Sequence, residues 1–289
     1  MLVRDGVDDP STPLEVLMVR RNLHSDFIGG AYVFPGGGVD LADGGADAEA
    51  ACVGRSDAEA SALLGVSSGG LAYWVAVLRE SFEEAGVLVA YGEGRTEGPL
   101  LSLSDDDQAS RFVEHRRAVN AGTRGFLDVC RQEGLRLAVD RVHYFAHWIT
   151  PVGAPRRYDT RFFVAGAPPF QTPAHDAAET IAWEWIRPGT ALRRHRDGEI
   201  ELIFPTICNL KAIGRFATSE ELLAAAAAAG RIPVIEPRVV ADGNGVRILL
   251  PGDPGYDGAV AAKAPEHPGD FNEAVRAISL AANPEPEPG

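Results

Sequence analysis

The stretch Arg79-Glu80-Ser81-Phe82-Glu83-Glu84-Ala85-Gly86 closes a periodic run that begins at Leu71. On a helix turning about 100° per residue, with Glu80 at zero, Glu83 falls at about 300° and Glu84 at about 40°. Trp74, Leu78, Phe82 and Ala85 fall between about 120° and about 200°, on the other side. The run therefore predicts a helix with one apolar face and three carboxylates stacked on the opposite face, stopped by Gly86. Like charges at this spacing cost a few tenths of a kcal/mol per pair. A hard divalent cation removes that cost, because Mg²⁺ or Mn²⁺ prefers carboxylate oxygens and leaves positions open for phosphate and water. Taken alone, the cluster reads equally well as a solvated acidic face.

Upstream, the β-rich run Leu14 to Arg21 and the run Ala31 to Phe34 lead into Pro35-Gly36-Gly37-Gly38-Val39-Asp40. A strand ending in Pro-Gly-Gly presents bare backbone, so a carbonyl can reach a metal and amides can approach a phosphate without a Cβ in the way. Strand, glycine turn and Arg-Glu-x-x-Glu-Glu-x-Gly helix are hard to obtain together by accident.

These residues resemble the box of the Nudix hydrolases, G-x5-E-x7-R-E-U-x-E-E-x-G-U, with U a bulky aliphatic. Arg79, Glu80, Glu83, Glu84, Gly86 and Val87 match its second half, and Gly37 after Phe34-Pro35-Gly36 its first. Ser81 stands where an aliphatic is usual, and Leu71 where the first box Glu would precede Arg79. Counting forward from Gly37 reaches Asp43 instead, so the box is split by about 28 residues. A split box is similar to the subgroup holding peroxisomal coenzyme A and acyl-CoA diphosphatases. Arg157-Tyr158-Asp159-Thr160-Arg161-Phe162-Phe163 and Leu250-Pro251-Gly252-Asp253 extend the likeness.

The resemblance implies an α/β/α sandwich with a mixed central sheet. It also implies a metal-dependent hydrolase that cleaves a nucleoside-diphosphate-linked compound by water attack on phosphorus, with coenzyme A or acyl-CoA as the specific expectation. Glu83 and Glu84 would be metal ligands, and Glu80 a ligand or the group orienting the water. Gly36 or Gly37 would add a backbone carbonyl, and Arg79 would hold a box carboxylate in place. A further acidic ligand is expected from the loop His175-Asp176-Ala177-Ala178-Glu179, with Glu179 the candidate. Arg20, Arg21, Arg157 and Arg161 are candidates for substrate phosphate, because guanidinium binds phosphate as a fork. The arginine pattern of bacterial coenzyme A diphosphatases is not kept, since Asn22 and Asp26 occupy its positions. ADP-ribose, NADH and dNTPs therefore stand as other substrates, and a Nudix-fold module that binds a nucleotide without turnover as the rival from another class. A homodimer is also common in the resembled family.

The rest of the chain reads as one domain over 1–282 followed by a Pro/Glu tail, 283–289, expected to be disordered. Residues 44–70, rich in Gly, Ala, Asp and Ser, read as an insertion and by default a mobile surface loop, with a short helix possible at Asp57 to Leu64. Helices are expected over Ser104 to Gly134, and strands over Val87 to Tyr91, Val142 to Thr150, Thr160 to Ala165 and Thr180 to Ile186. Helical and hairpin additions follow at about 187–255: a helix near Pro188, another over Thr206 to Phe216, and a third at Ser219 to Ala229 capped from Ser219. The hairpin is expected to turn at Asp242 to Gly245. Trp183 and Trp185 alternate on a strand and read chiefly as core, with stacking on a nucleobase the lesser reading.

With 27 Lys+Arg against 41 Asp+Glu the formal charge is −14, and 45% of the residues are apolar. That balance supplies a core and argues against a nucleic-acid or membrane surface. Cys52, Cys130 and Cys208 form no metal-binding or disulfide pattern. Asp5, Asp8 and Asp9 stand where a signal peptide would be basic then apolar, and no apolar run reaches about 18 residues. A soluble cytoplasmic protein is the expectation.

Overall fold

The computed structural model describes residues 1–6, 14–23, 29–154, 156–174, 180–242 and 245–259. Its centre is a mixed sheet of β1 (Leu2–Arg4), β2 (Glu15–Arg21), β3 (Tyr32–Val33), β6 (Val142–Ile149), β7 (Asp159–Gly166), β8 (Thr180–Ile186) and β9 (Val234–Ile235). A small second sheet joins β4 (Ala90–Tyr91) to β5 (Arg136–Leu137), and β10 (Arg238–Asp242) with β11 (Gly245–Leu249) forms a separate hairpin. One edge of β2 pairs antiparallel with β8 along its length; its other edge is shared by β1 near the start and β3 near the end. β1 then runs parallel to β7, β7 antiparallel to β6, and β6 parallel to β9.

Alternation along β2 decides the layering. Leu17 and Val19 point into one core, Val16 and Met18 into another, as the period of two requires. The first core is covered by α1 (Ala46–Ala51), α2 (Asp57–Leu64), α3 (Leu71–Ala85), α4 (Asp106–Asn120) and α5 (Phe126–Gln132). The second is covered by α6 (Pro188–Arg196), α7 (Phe204–Ile213) and α8 (Ser219–Ala228). The architecture is the expected α/β/α sandwich with C-terminal helical additions.

Two sequence expectations need correcting. The insertion is not a loose loop: Ala48, Cys52, Ala60 and Leu64 are buried in the first core. Short, alanine-rich helices hide this in sequence, because small residues give little periodic contrast. Asp57 of α2 also accepts the backbone N–H groups of Gly69 and Leu71, both at 2.9 Å, and so tethers the start of α3. The Leu71 amide is an orphan donor at a helix N-terminus, and the two hydrogen bonds, Leu71 first, hold the Asp57 carboxyl below the usual range. The cap of α8 is Thr218, one residue earlier than expected; its hydroxyl accepts from Glu221 N–H at 3.2 Å.

Elsewhere the boundaries shift by a few residues. The strand expected from Val87 is paired only at Ala90–Tyr91, while Val87, Leu88 and Val89 are buried before it without strand pairing. β1 and β9 carry too few residues for a sequence pattern. Cys52, Cys130 and Cys208 are unpaired thiols, pushed up to about 12, about 12 and about 11 by burial. Among the described residues no helix is long and apolar enough to cross a membrane. The tip of the hairpin at Gly243-Asn244 and the tail 283–289 lie outside the described residues.

Candidate active site

α3 is anchored by its apolar face. Trp74, Val75, Leu78, Phe82 and Ala85 are essentially inaccessible. Trp74 stacks edge-on against Phe163 at 4.8 Å, and its indole N–H donates to the Val142 carbonyl at 2.9 Å. Burying each such side chain contributes roughly 1.5–3 kcal/mol, enough to hold the helix whatever its polar face carries. The C-terminus is a tight left-handed stop. Gly86 has φ +70, its N–H reaches the Phe82 carbonyl at 2.9 Å, and Val87 N–H reaches Ser81 at 3.2 Å. Ser81, the departure from an aliphatic, donates its hydroxyl to the Val87 carbonyl at 2.8 Å. The serine thus closes the same turn by a hydrogen bond. From α4, Arg116 and Asn120 both donate to the Glu83 carbonyl, at 2.9 and 3.1 Å.

The polar face is organised by Arg79. Its Nε donates to Asp43 Oδ1 at 2.8 Å and Nη2 to Asp43 Oδ2 at 2.9 Å, a two-pronged clasp. Nη1 reaches Glu80 at 2.8 Å and Glu83 at 2.9 Å, and Nη2 also reaches the Gly38 carbonyl at 2.7 Å. Burial opposes the guanidinium charge, but the hydrogen bonds and charges of Asp43, Glu80 and Glu83 outweigh it and raise its pKa. Glu83 is pushed up by burial, only partly offset by Arg79. Asp43 is 1% exposed and also accepts the Asp40 N–H at 2.8 Å. Asp43, the residue that counting forward from Gly37 reaches, meets the box helix through Arg79, whereas Leu71 lies in the core at the first turn of α3.

The glycine turn meets this cluster directly. Gly36 N–H donates to Glu84 Oε2 at 3.0 Å. A Cβ on Gly37 would stand 2.4 Å from Glu80 Oε1, so only glycine fits there without moving that carboxylate. Glu80 and Glu84 are each 9% exposed.

The donor set suits a hard divalent cation. It offers carboxylate oxygens beside the glycine turn, with Asp43, Glu80, Glu83 and Glu84 outnumbering the Arg79 charge in a largely buried place. Among the described residues no three acidic, histidine or cysteine side chains close around one point. The carboxylates are turned to Arg79 and to the Gly36 amide.

The predicted arginines divide. Arg21 lies opposite Thr180 across β2 and β8, and the Thr180 hydroxyl donates to the Glu84 carbonyl at 3.3 Å, so Arg21 borders the box helix. Arg20 donates to the Gly30 carbonyl at 3.2 Å. Arg161 is 9% exposed, lies over the Tyr73 ring at 4.7 Å and pairs with Asp159 at 2.9 Å. Tyr73 shares the helix face of Glu80 but lies about 10.5 Å, seven residues, up the helix. Arg157 is not brought to the cluster: it pairs with Glu236 and donates to the Thr150 carbonyl at 2.9 Å. Glu179 and His175 lie outside the described residues. Sequence reasoning counted to Asp43 without giving it a role; its burial against Arg79 is the signal that spacing alone could not supply.

Comparison with known proteins identifies the family and the fold. Residues 55–213 match the model described as the NUDT19 Nudix domain. The chain is 31% identical over 240 residues to the Gallus gallus protein named acyl-coenzyme A diphosphatase NUDT19, covering 72% of this chain and 63% of that protein. It therefore spans less than two thirds of that relative's length. Against the Homo sapiens protein of the same name identity is 27% over 280 residues, covering 86% and 73%. A crystal structure of a NUDIX hydrolase from Alicyclobacillus acidocaldarius superposes with a TM-score of 0.56 at 27% identity, covering 80% of this chain and 94% of that one.

Proposed function

The chain belongs to the NUDT19 Nudix domain family, and from that premise we propose that it hydrolyses the diphosphate linkage of a nucleoside-diphosphate-linked compound, with acyl-CoA the favoured substrate. The observation that carries this reading is the Arg79 clasp, which fixes Asp43, Glu80 and Glu83 around one guanidinium while Gly36 N–H holds Glu84. A helix kept only for packing has no use for that arrangement on its polar face.

Glu80, Glu83 and Glu84, with a carbonyl of Gly36 or Gly37, are the groups that would hold Mg²⁺ or Mn²⁺. Bound there, the cation would neutralise diphosphate charge and lower the pKa of a coordinated water. Arg79 limits the rotamers of Glu80 and Glu83, and ligation would turn oxygens of these carboxylates from Arg79 and the Gly36 amide toward the cation. Whichever of the three carboxylates is left free of the cation accepts the proton of the attacking water. Arg20, Arg21 and Arg161 are proposed to receive substrate phosphate. Leu41, fully exposed, and Val39, at 43% exposure, put apolar surface beside the glycine turn, which favours a substrate carrying an apolar tail.

The test is a panel of CoA, acyl-CoA, ADP-ribose, NADH and dNTPs with Mg²⁺ or Mn²⁺, read as kcat/KM with product identification. Acyl-CoA is expected to rank first. Binding without turnover across the panel would replace this reading with a nucleotide-binding module.

A further inference from the structure

Beside the C-terminal end of α3 lies an open recess of about 380 Å³, lined by Arg4, Gln171, Thr172, Pro173, Trp183 and Trp185, with Glu184 at its edge. Its volume falls in the range of small-molecule sites, about 300–1,000 Å³. Both borders are tied to the box helix. Ala174 N–H, next to the Gln171–Pro173 wall, donates to the Ala85 carbonyl at 2.9 Å. Thr180, three residues before Trp183, donates to the Glu84 carbonyl. Both borders of the recess are thus hydrogen-bonded to the last turn of the helix that carries Glu84.

Trp183 and Trp185 point to the same side of β8, with their inner parts packed on the first core and the remainder open. One face of Trp185 is taken by the Arg4 guanidinium, 4.4 Å from the ring centroid, and Arg4 is itself held by Glu15 at 2.8 Å. The facing wall is fixed by Gln171, whose amide oxygen accepts from Leu88 N–H at 2.8 Å and whose nitrogen donates to the Leu88 and Leu101 carbonyls at 3.1 and 2.8 Å. Glu184 is directed to Arg194. The recess therefore offers indole surface with Arg4, Gln171 and Glu184 already paired, a site that suits a flat ring rather than an ion.

We propose that this recess is the nucleobase subsite of the enzyme, with Trp183 the stacking platform and Trp185, backed by Arg4, its side wall. The assignment rests on the diphosphatase reading, because it is a nucleoside diphosphate at Glu84 that would bring its base here.

Calorimetric titration of the full chain with AMP, without added metal, reads the recess independently of turnover. Trp183→Ala is expected to weaken AMP binding about fivefold to a hundredfold, the range for loss of one base–aromatic stack, while Trp183→Phe stays near wild type. Thr172→Trp fills the recess from the opposite wall without removing a core side chain, and should also weaken binding. With the diphosphate substrate, Trp183→Ala and Thr172→Trp should raise KM and leave kcat nearly unchanged, as loss of uniform binding does. AMP affinity and KM unaltered in both variants would overturn the subsite, as would no AMP binding by the wild type. AMP binding that depends on Trp183 in a protein that hydrolyses nothing would remove the diphosphatase reading and leave the base site standing.

Discussion

Replacing Asp43 by Ala removes a buried carboxylate outside the contiguous half of the box. Its side chain is 2% exposed and takes two charge-assisted hydrogen bonds from Arg79, at 2.8 and 2.9 Å, and one from Asp40 N–H. Each bond to a charged group contributes about 1.5–3 kcal/mol, so the two from Arg79 set a scale of about 3–6 kcal/mol. Arg79 is not orphaned, since Glu80, Glu83 and the Gly38 carbonyl remain. The lower end, about 3 kcal/mol, is therefore expected. At about 2–4 °C per kcal/mol for a domain of this order, the melting temperature should fall by about 6–12 °C. Turnover should fall with it, because Arg79, still bonded to Glu80 and Glu83 but without its two bonds to Asp43, holds them less firmly in position. Asp40→Ala is the control: Asp40 stands 3.7 Å from Arg79 and is 69% exposed, so its loss should cost less than about 1 kcal/mol. Thermal melting beside kcat/KM decides the matter. A shift for Asp43→Ala no larger than for Asp40→Ala would refute the view that Asp43 anchors the box.

Gly37→Ala places a Cβ against Glu80 and should lower kcat/KM by at least about tenfold, since about 1.4 kcal/mol of misplacement suffices, with little change in melting temperature; equal loss of both would mean a folding defect instead. Asp57→Asn should destabilise at neutral pH by about 1 kcal/mol, the worth of a helix cap. Because the folded-state pKa of Asp57 lies below its unfolded value, this stabilisation is complete above about pH 5. It is lost as pH falls through the folded pKa, so wild type and variant should converge in melts at acid pH. Leu64→Ala, in the insertion, should cost about 2–4 kcal/mol by urea unfolding because its side chain lies in the core; a neutral result would return residues 44–70 to the status of a surface loop.

Legibility in the sequence followed how locally each feature is encoded. The box helix was readable because its apolar residues and carboxylates segregate by angle, and β8 was bounded residue for residue at Thr180–Ile186. Short-range chemistry placed the hairpin turn, whose flanking Asp242 and Gly245 pair, and the helix that starts at Pro188. What escaped depends on contacts distant in the chain. Asp43 gains its meaning from Arg79, and β1 its existence from β7. The insertion gains its order from Ala48, Ala60 and Leu64 finding the core, and from Asp57 finding the start of α3. Arg157 and Arg161 look alike in sequence, yet one pairs with Glu236 and the other lies over Tyr73. Trp183 and Trp185 were read chiefly as core; the recess beside them arises from a segment around Gln171 that sequence could not place there.

The most direct test compares wild type with the Glu83→Gln/Glu84→Gln double variant for release of phosphomonoester products from acyl-CoA, with Mg²⁺ or Mn²⁺ and with EDTA. The account predicts two phosphomonoesters in equal amounts from the wild type with metal, none with EDTA, and none from the double variant. Full product release by the double variant in EDTA would contradict it.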